Sequence, residues 1–135
     1  MSDLGRGKVR NLRDAVGRIR EVDPRTLDAL RSDLLSQESV LLNLQRACQA
    51  AIDLATVLCS ERGFGTPQDS RDAILRLESR GVVDHELAQR LVAMIGFRNL
   101  AMHRYHAIDL AVVRSILDTR LDDLLRFASI GDPSS

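Results

Sequence analysis

Within one eight-residue stretch, Arg98-Asn99-Leu100-Ala101-Met102-His103-Arg104-Tyr105, the chain places a guanidinium, an amide, an imidazole and a phenol. An imidazole in its ordinary state titrates near neutrality, the range a general acid or base needs, and a guanidinium presents a planar fork of donors suited to phosphate. Those two groups are the minimum for metal-independent RNA cleavage. In that chemistry His103 takes the proton from a ribose 2′-OH and Arg98 holds the scissile phosphate as its charge grows. Asn99 would orient the His103 ring or donate to a phosphate oxygen, and Tyr105 would bind phosphate or stack on a base.

On a continuous helix Arg98 and Tyr105 fall on one face and Asn99 and His103 on the adjacent one. Arg98 also extends the apolar line of Leu87, Leu91, Met94 and Ile95. A guanidinium on such a stripe is partly desolvated and needs an anion, an acidic side chain or a solvent-filled cleft. Asp53, beside Ile52 on the longest apolar helix, is a candidate to answer Arg98 across the bundle; Arg46 or Gln49 would be its ordinary partners otherwise. Arg98 and His103 are separated by about 140° around a straight helix, which does not aim both at one atom. Either the helix end distorts, or two copies of the motif face each other across a symmetric dimer; the dimer is the expectation.

Two other readings remain open on these residues. One is a helical module that binds a nucleotide or partner without turnover, and the other a structural dimerisation bundle in which Arg98 simply pairs with Asp53. His85, in the first turn of its helix, and His106, in a turn, are weaker candidates. There is no Gly-rich phosphate loop, nucleophilic serine elbow or paired-histidine metal motif, so no metal or cofactor is expected.

Around this motif, 135 residues suffice for one domain. It is expected over 1–130, with a frayed tail over 131–135. With 19 basic and 19 acidic residues the formal charge is zero, so any grip on nucleic acid is local. An arginine-rich first segment, Arg6 to Arg25, fits a solvated helix face or an RNA surface equally well. Cys48 and Cys59 have neither disulfide nor zinc spacing and read as small core residues. No charged-then-apolar leader follows Met1 and every apolar run is short, which predicts a cytoplasmic protein with no membrane span.

Every segment repeats at helical period, predicting an all-α fold of about five to six helices. Val9, Leu12, Val16 and Ile19 face inward on the first; Asp23 and Pro24 open a short second with Leu27, Leu30 and Leu34 inward; a bend follows near Ser36–Ser39. The longest carries Leu41, Leu44, Cys48, Ala51, Ile52, Ala55, Leu58 and Cys59 inward. Thr66-Pro67 and Asp84 start the next two, and Asp109, stapled by Ile108 and Val113, starts the last, with Leu117, Leu121, Leu124 and Ala128 inward. The staple implies a break near His106-Ala107-Ile108, so the motif lies at a helix end.

The motif resembles the Arg-x4-His-x-Tyr signature of HepT-like proteins, a branch of the HEPN superfamily. Leu44-Gln45-Arg46-Ala47 through Ala51-Ile52-Asp53-Leu54-Ala55, and Gly65-Thr66-Pro67, are similar to that family's long helix and following loop. The resemblance implies an up-and-down helical bundle that pairs into a homodimer with both motifs in one cleft. It further implies a toxin of a type VII (HEPN/MNT) toxin–antitoxin pair, a metal-independent endoribonuclease. Its antitoxin would be a minimal nucleotidyltransferase (MntA-like) that transfers AMP to the motif tyrosine. By position, Arg98 and His103 would be catalytic, Asn99 supporting and Tyr105 the acceptor. The arginine-rich first helix lies outside the family's pattern.

Overall fold

A computed structural model describes residues 1–133, and among them every regular element is helical. The seven α-helices are α1 (Asp3–Val22), α2 (Leu27–Ser32), α3 (Leu34–Glu61), α4 (Ser70–Ser79), α5 (His85–His103), α6 (Leu110–Thr119) and α7 (Leu121–Gly131). A 3-10 turn, Tyr105–Ala107, joins α5 to α6.

The central helix is α3, against which α1, α4, α5 and α7 pack, while α2 and α6 lie against each other. Its alanines and leucines explain that position: Ala47, Ala55, Leu44, Leu54 and Leu58 are all buried, and small residues let neighbouring helices come close. The expected inward positions of α1, Val9, Leu12, Val16 and Ile19, are buried too. Cys48 and Cys59 are buried free thiols, and burial pushes the Cys48 thiol up to about 12, leaving it an unreactive core group. α1 runs antiparallel to α3, since Lys8 meets Asp53 at 3.4 Å and a Cβ at Gly5 would lie 3.5 Å from the Val57 side chain.

Several boundaries differ from those the sequence predicts. The bend expected at Ser36–Ser39 occurs at Asp33, whose carboxylate accepts from the Leu35 N–H at 3.1 Å and from Ser36 Oγ at 2.8 Å. With both oxygens engaged, Asp33 is the stronger cap, α3 begins seven residues before Leu41, and Leu34 is left exposed rather than inward. Asp23 does not open α2; Thr26 caps it, because the Asp23 carboxylate is taken by the Arg25 N–H and the Arg114 guanidinium. Thr66-Pro67 yields in the same way to Asp69, which accepts from the Asp72 N–H at 2.7 Å while Asp72 accepts from the Gln68 N–H at 2.8 Å. Asp84 and Asp109 cap α5 and α6 as expected.

The single last helix is in fact two, divided at Arg120, which exceeds the expected count. The division lets α6 cover α2 while α7 lies on α1 and α3, a pair of contacts one straight helix would not reach. At the start of the expected tail, Gly131 closes α7 within reach of Leu54, and Asp132 is buried. Residues 134–135 of that tail lie outside the described ones. No helix among the described residues is long and apolar enough to cross a membrane.

Candidate active site at the end of α5

Asp84 sets the start of α5, accepting from the Leu87 N–H at 2.8 Å, and Leu87, Ala88, Leu91 and Met94 anchor its first three turns in the core. The buried stripe then gives way to Phe97 and Arg98, both half-buried, and the helix ends at His103. Arg104 leaves helical geometry at φ −139° and ψ 56° while its N–H still reaches the Leu100 carbonyl at 2.8 Å. The chain then tightens into the 3-10 turn, so Tyr105 does not share a helical face with Arg98 as a continuous helix would have it. Asn99 and His103 do remain one helical turn apart on α5.

Arg98 is the most restrained of the four candidates. Its Nη2 donates to Gln49 Oε1 at 2.5 Å and its Nη1 to Asn99 Oδ1 at 3.1 Å, while its buried Nε has no partner. The amide nitrogen of Gln49 donates in turn to Asp53 Oδ1 at 2.8 Å, and Lys8 Nζ donates to Asp53 Oδ2 at 3.4 Å. Asp53 therefore answers Arg98 through Gln49 and not by direct contact. Gln49 was expected only as a partner of Asp53, which it is, and its link to Arg98 is new; the available signal was an amide between Cys48 and Ala50, four residues before Asp53.

His103 and Tyr105 are solvent-exposed, Tyr105 at 43%, with its ring edge-on to His106 at 6.0 Å between centroids. A hollow of about 190 Å³ opens beside Arg98, walled by Leu42, Gln45, Arg46, Gln49 and Met102. Arg98 thus has neutral partners, one unsatisfied buried donor and an opening to solvent, an arrangement suited to receiving an anion. His85 lies elsewhere, exposed and paired with Glu78 at 3.0 Å, and His106 stays in the exposed turn. Among the described residues no group of three or more His, Cys, Asp or Glu is placed to hold a metal ion.

Known proteins share both this sequence and this shape. The chain is 32% identical over 130 residues to the mRNA nuclease HepT of Shewanella oneidensis, covering 96% of this chain and 97% of that one. It is also 32% identical over 88 residues to a putative RNase of Archaeoglobus fulgidus, covering 65% of this chain and 66% of that one. A crystal structure of a toxin–antitoxin with AMP-PNP contains a chain that superposes with a TM-score of 0.89 at 30% identity, covering 98% of this chain and 100% of that one. The tri-AMPylated Shewanella oneidensis HEPN toxin, in complex with its MNT antitoxin, superposes with a TM-score of 0.89 at 32% identity, covering 96% of this chain and 97% of that one. The Ribonuclease HepT-like family model matches residues 12–130, and with these relatives it establishes that the chain belongs to the HepT-like ribonuclease family.

Proposed function

We propose that this protein is the toxin of a HEPN/MNT toxin–antitoxin pair, a metal-independent endoribonuclease working as a homodimer in the cytoplasm. The observation that carries the reading is the complete Arg98, His103 and Tyr105 set at an accessible helix end, in a chain 32% identical to an mRNA nuclease along 96% of its length.

In the proposed reaction Arg98 binds the scissile phosphate through the hollow, and Asn99 and Asp53 support it, Asp53 by way of Gln49. His103 removes the proton from the 2′-OH; the 2′-oxygen bonds to phosphorus, and the bond to the 5′-oxygen breaks. The products are a 2′,3′-cyclic phosphate and a 5′-hydroxyl, whose oxygen takes a proton from the imidazole of the second copy. A dimer supplies two imidazoles to one cleft, which resolves the angular offset between Arg98 and His103 on a single helix.

The partner in this reading is a minimal nucleotidyltransferase. Tyr105, exposed in the turn, is the acceptor: its phenolic oxygen attacks the α-phosphate of ATP and pyrophosphate leaves. The added phosphodiester brings negative charge near the anion site of Arg98 and competes with RNA there.

His103→Ala tests the catalytic assignment. Incubated with defined RNAs in EDTA, the variant should cut about 10²–10⁴-fold more slowly than the parent while keeping its oligomeric state. Cleavage at the parent's rate would overturn it, and retention of RNA by the parent without any product would favour a non-catalytic binding module.

A further inference from the structure

A second, larger groove of about 440 Å³ runs between α1 and α3, lined by Asn11, Asp14, Arg18, Arg46, Gln49 and Asp53 along with small alanines. It shares Arg46 and Gln49 with the hollow beside Arg98, so the two depressions adjoin at those side chains, one reaching the end of α5 and the other the first helix. Its volume is in the range of sites that hold a small ligand or a nucleotide.

Two carboxylates, Asp14 and Asp53, and two guanidiniums line it, but the carboxylates do not pair with the guanidiniums. Asp53 is engaged by Lys8 and Gln49, whereas Arg18 and Arg46 are both exposed and make no ion pair with any described residue. The antiparallel packing that sets Lys8 against Asp53 places Arg18 and Arg46 toward the other end of the groove, one on each wall. With Arg98 adjoining, cations outnumber carboxylates along this path although the whole chain has no net charge. Two exposed guanidiniums without an ion-pair partner present planar donor forks that fit phosphate. Asn11 and Asp14 supply groups that accept from the amino edges of nucleobases, which a groove for a bare polyanion would not need.

We propose that the α1–α3 groove is a subsite for single-stranded RNA, in which Arg18 and Arg46 take backbone phosphates flanking the one held by Arg98. This rests on the ribonuclease reading and gives the arginine-rich first helix a role: it extends the substrate path beyond the reacting bond.

The test measures binding of a 2′-O-methyl oligoribonucleotide, which lacks the attacking hydroxyl, across a series of salt concentrations. The double variant Arg18→Ala, Arg46→Ala should flatten the slope of log K against log salt by about 1.4, since each phosphate contact on a single strand contributes about 0.7. The corresponding double lysine variant should hold the parent's slope, and so should Arg71→Ala, an exposed position on α4 away from the groove. An unchanged slope in the double alanine variant overturns the proposal, as does an equal change in Arg71→Ala. Loss of nucleotidyltransferase binding with the RNA slope intact would also overturn it, marking the groove as a protein interface. Failure of the parent to cleave any RNA would instead defeat the ribonuclease reading, and it is scored separately from these slopes.

Discussion

Arg98 Nη2 donates to Gln49 Oε1 at 2.5 Å, tying the end of α5 to the middle of α3. Because the Gln49 nitrogen then faces Asp53, and Asp53 also accepts from Lys8, the amide has one orientation and presents its oxygen to the guanidinium. Three helices converge on a single donor fork.

Gln49→Ala removes that hold without touching the reacting atoms. On the proposed mechanism kcat falls by about 10²-fold, the scale of a misplaced group, while circular dichroism stays that of the parent. Steady-state cleavage kinetics check this, and a variant as fast as the parent would show that the bond does not position Arg98.

The motif itself was legible because asparagine, histidine and tyrosine are rare in this chain and fall together there, and because Asp109 with Ile108 and Val113 marks the break beside it. The pairing of Gln49 with Asp53, four residues on, was legible too, but the Gln49 bond to Arg98 was not, since that partner lies 49 residues away and an amide has no charge to announce the pairing. The misplaced caps have a related cause. Asp33 and Asp69 outcompete neighbouring hydroxyl and proline signals by making two hydrogen bonds at once or by pairing with a reciprocal acid, which only the folded geometry reveals. Asp23 was lost to a long-range partner, Arg114.

Tyr105→Phe separates chemistry from control. The ring remains in its edge-on contact with His106, so RNA cleavage should persist at the parent's rate. Co-expression with an active nucleotidyltransferase should leave the variant's mass unchanged while the parent gains AMP. A mass increase on the variant would move the acceptor elsewhere.

Arg114 grips Asp23 with both terminal nitrogens, at 2.6 and 2.7 Å, and also holds Asp118, joining the end of α1 to α6. The Arg114 hydrogen bonds hold the Asp23 carboxyl below its usual range against the opposing effect of burial. A carboxyl lowered by folding contributes stability above its unfolded value, near about 3.9, and loses it as pH falls through the lower folded value. Asp23→Asn should therefore destabilise the fold by about 3 kcal/mol at neutral pH, because it leaves buried Arg114 short of a charge. Thermal melts from pH 7 down to pH 3 should show the gap between parent and variant closing on the acid side. A gap independent of pH would contradict the ion-pair account.

Leu35 and Leu42 lie two turns apart on one face of α3, 77% and 48% exposed, and Met102, 49% exposed, faces Leu42 across the hollow beside Arg98. Apolar side chains concentrated around a candidate active site mark a surface that another chain covers, and a second copy of the same face would bring two Arg98–His103 sets together. Leu42→Asp places a charge in that contact. Light scattering should then report a monomer, and RNA cleavage should fall with it even though every candidate catalytic side chain is still present. A monomer that cleaves at full rate would separate catalysis from pairing, and an intact dimer would move the interface to another face.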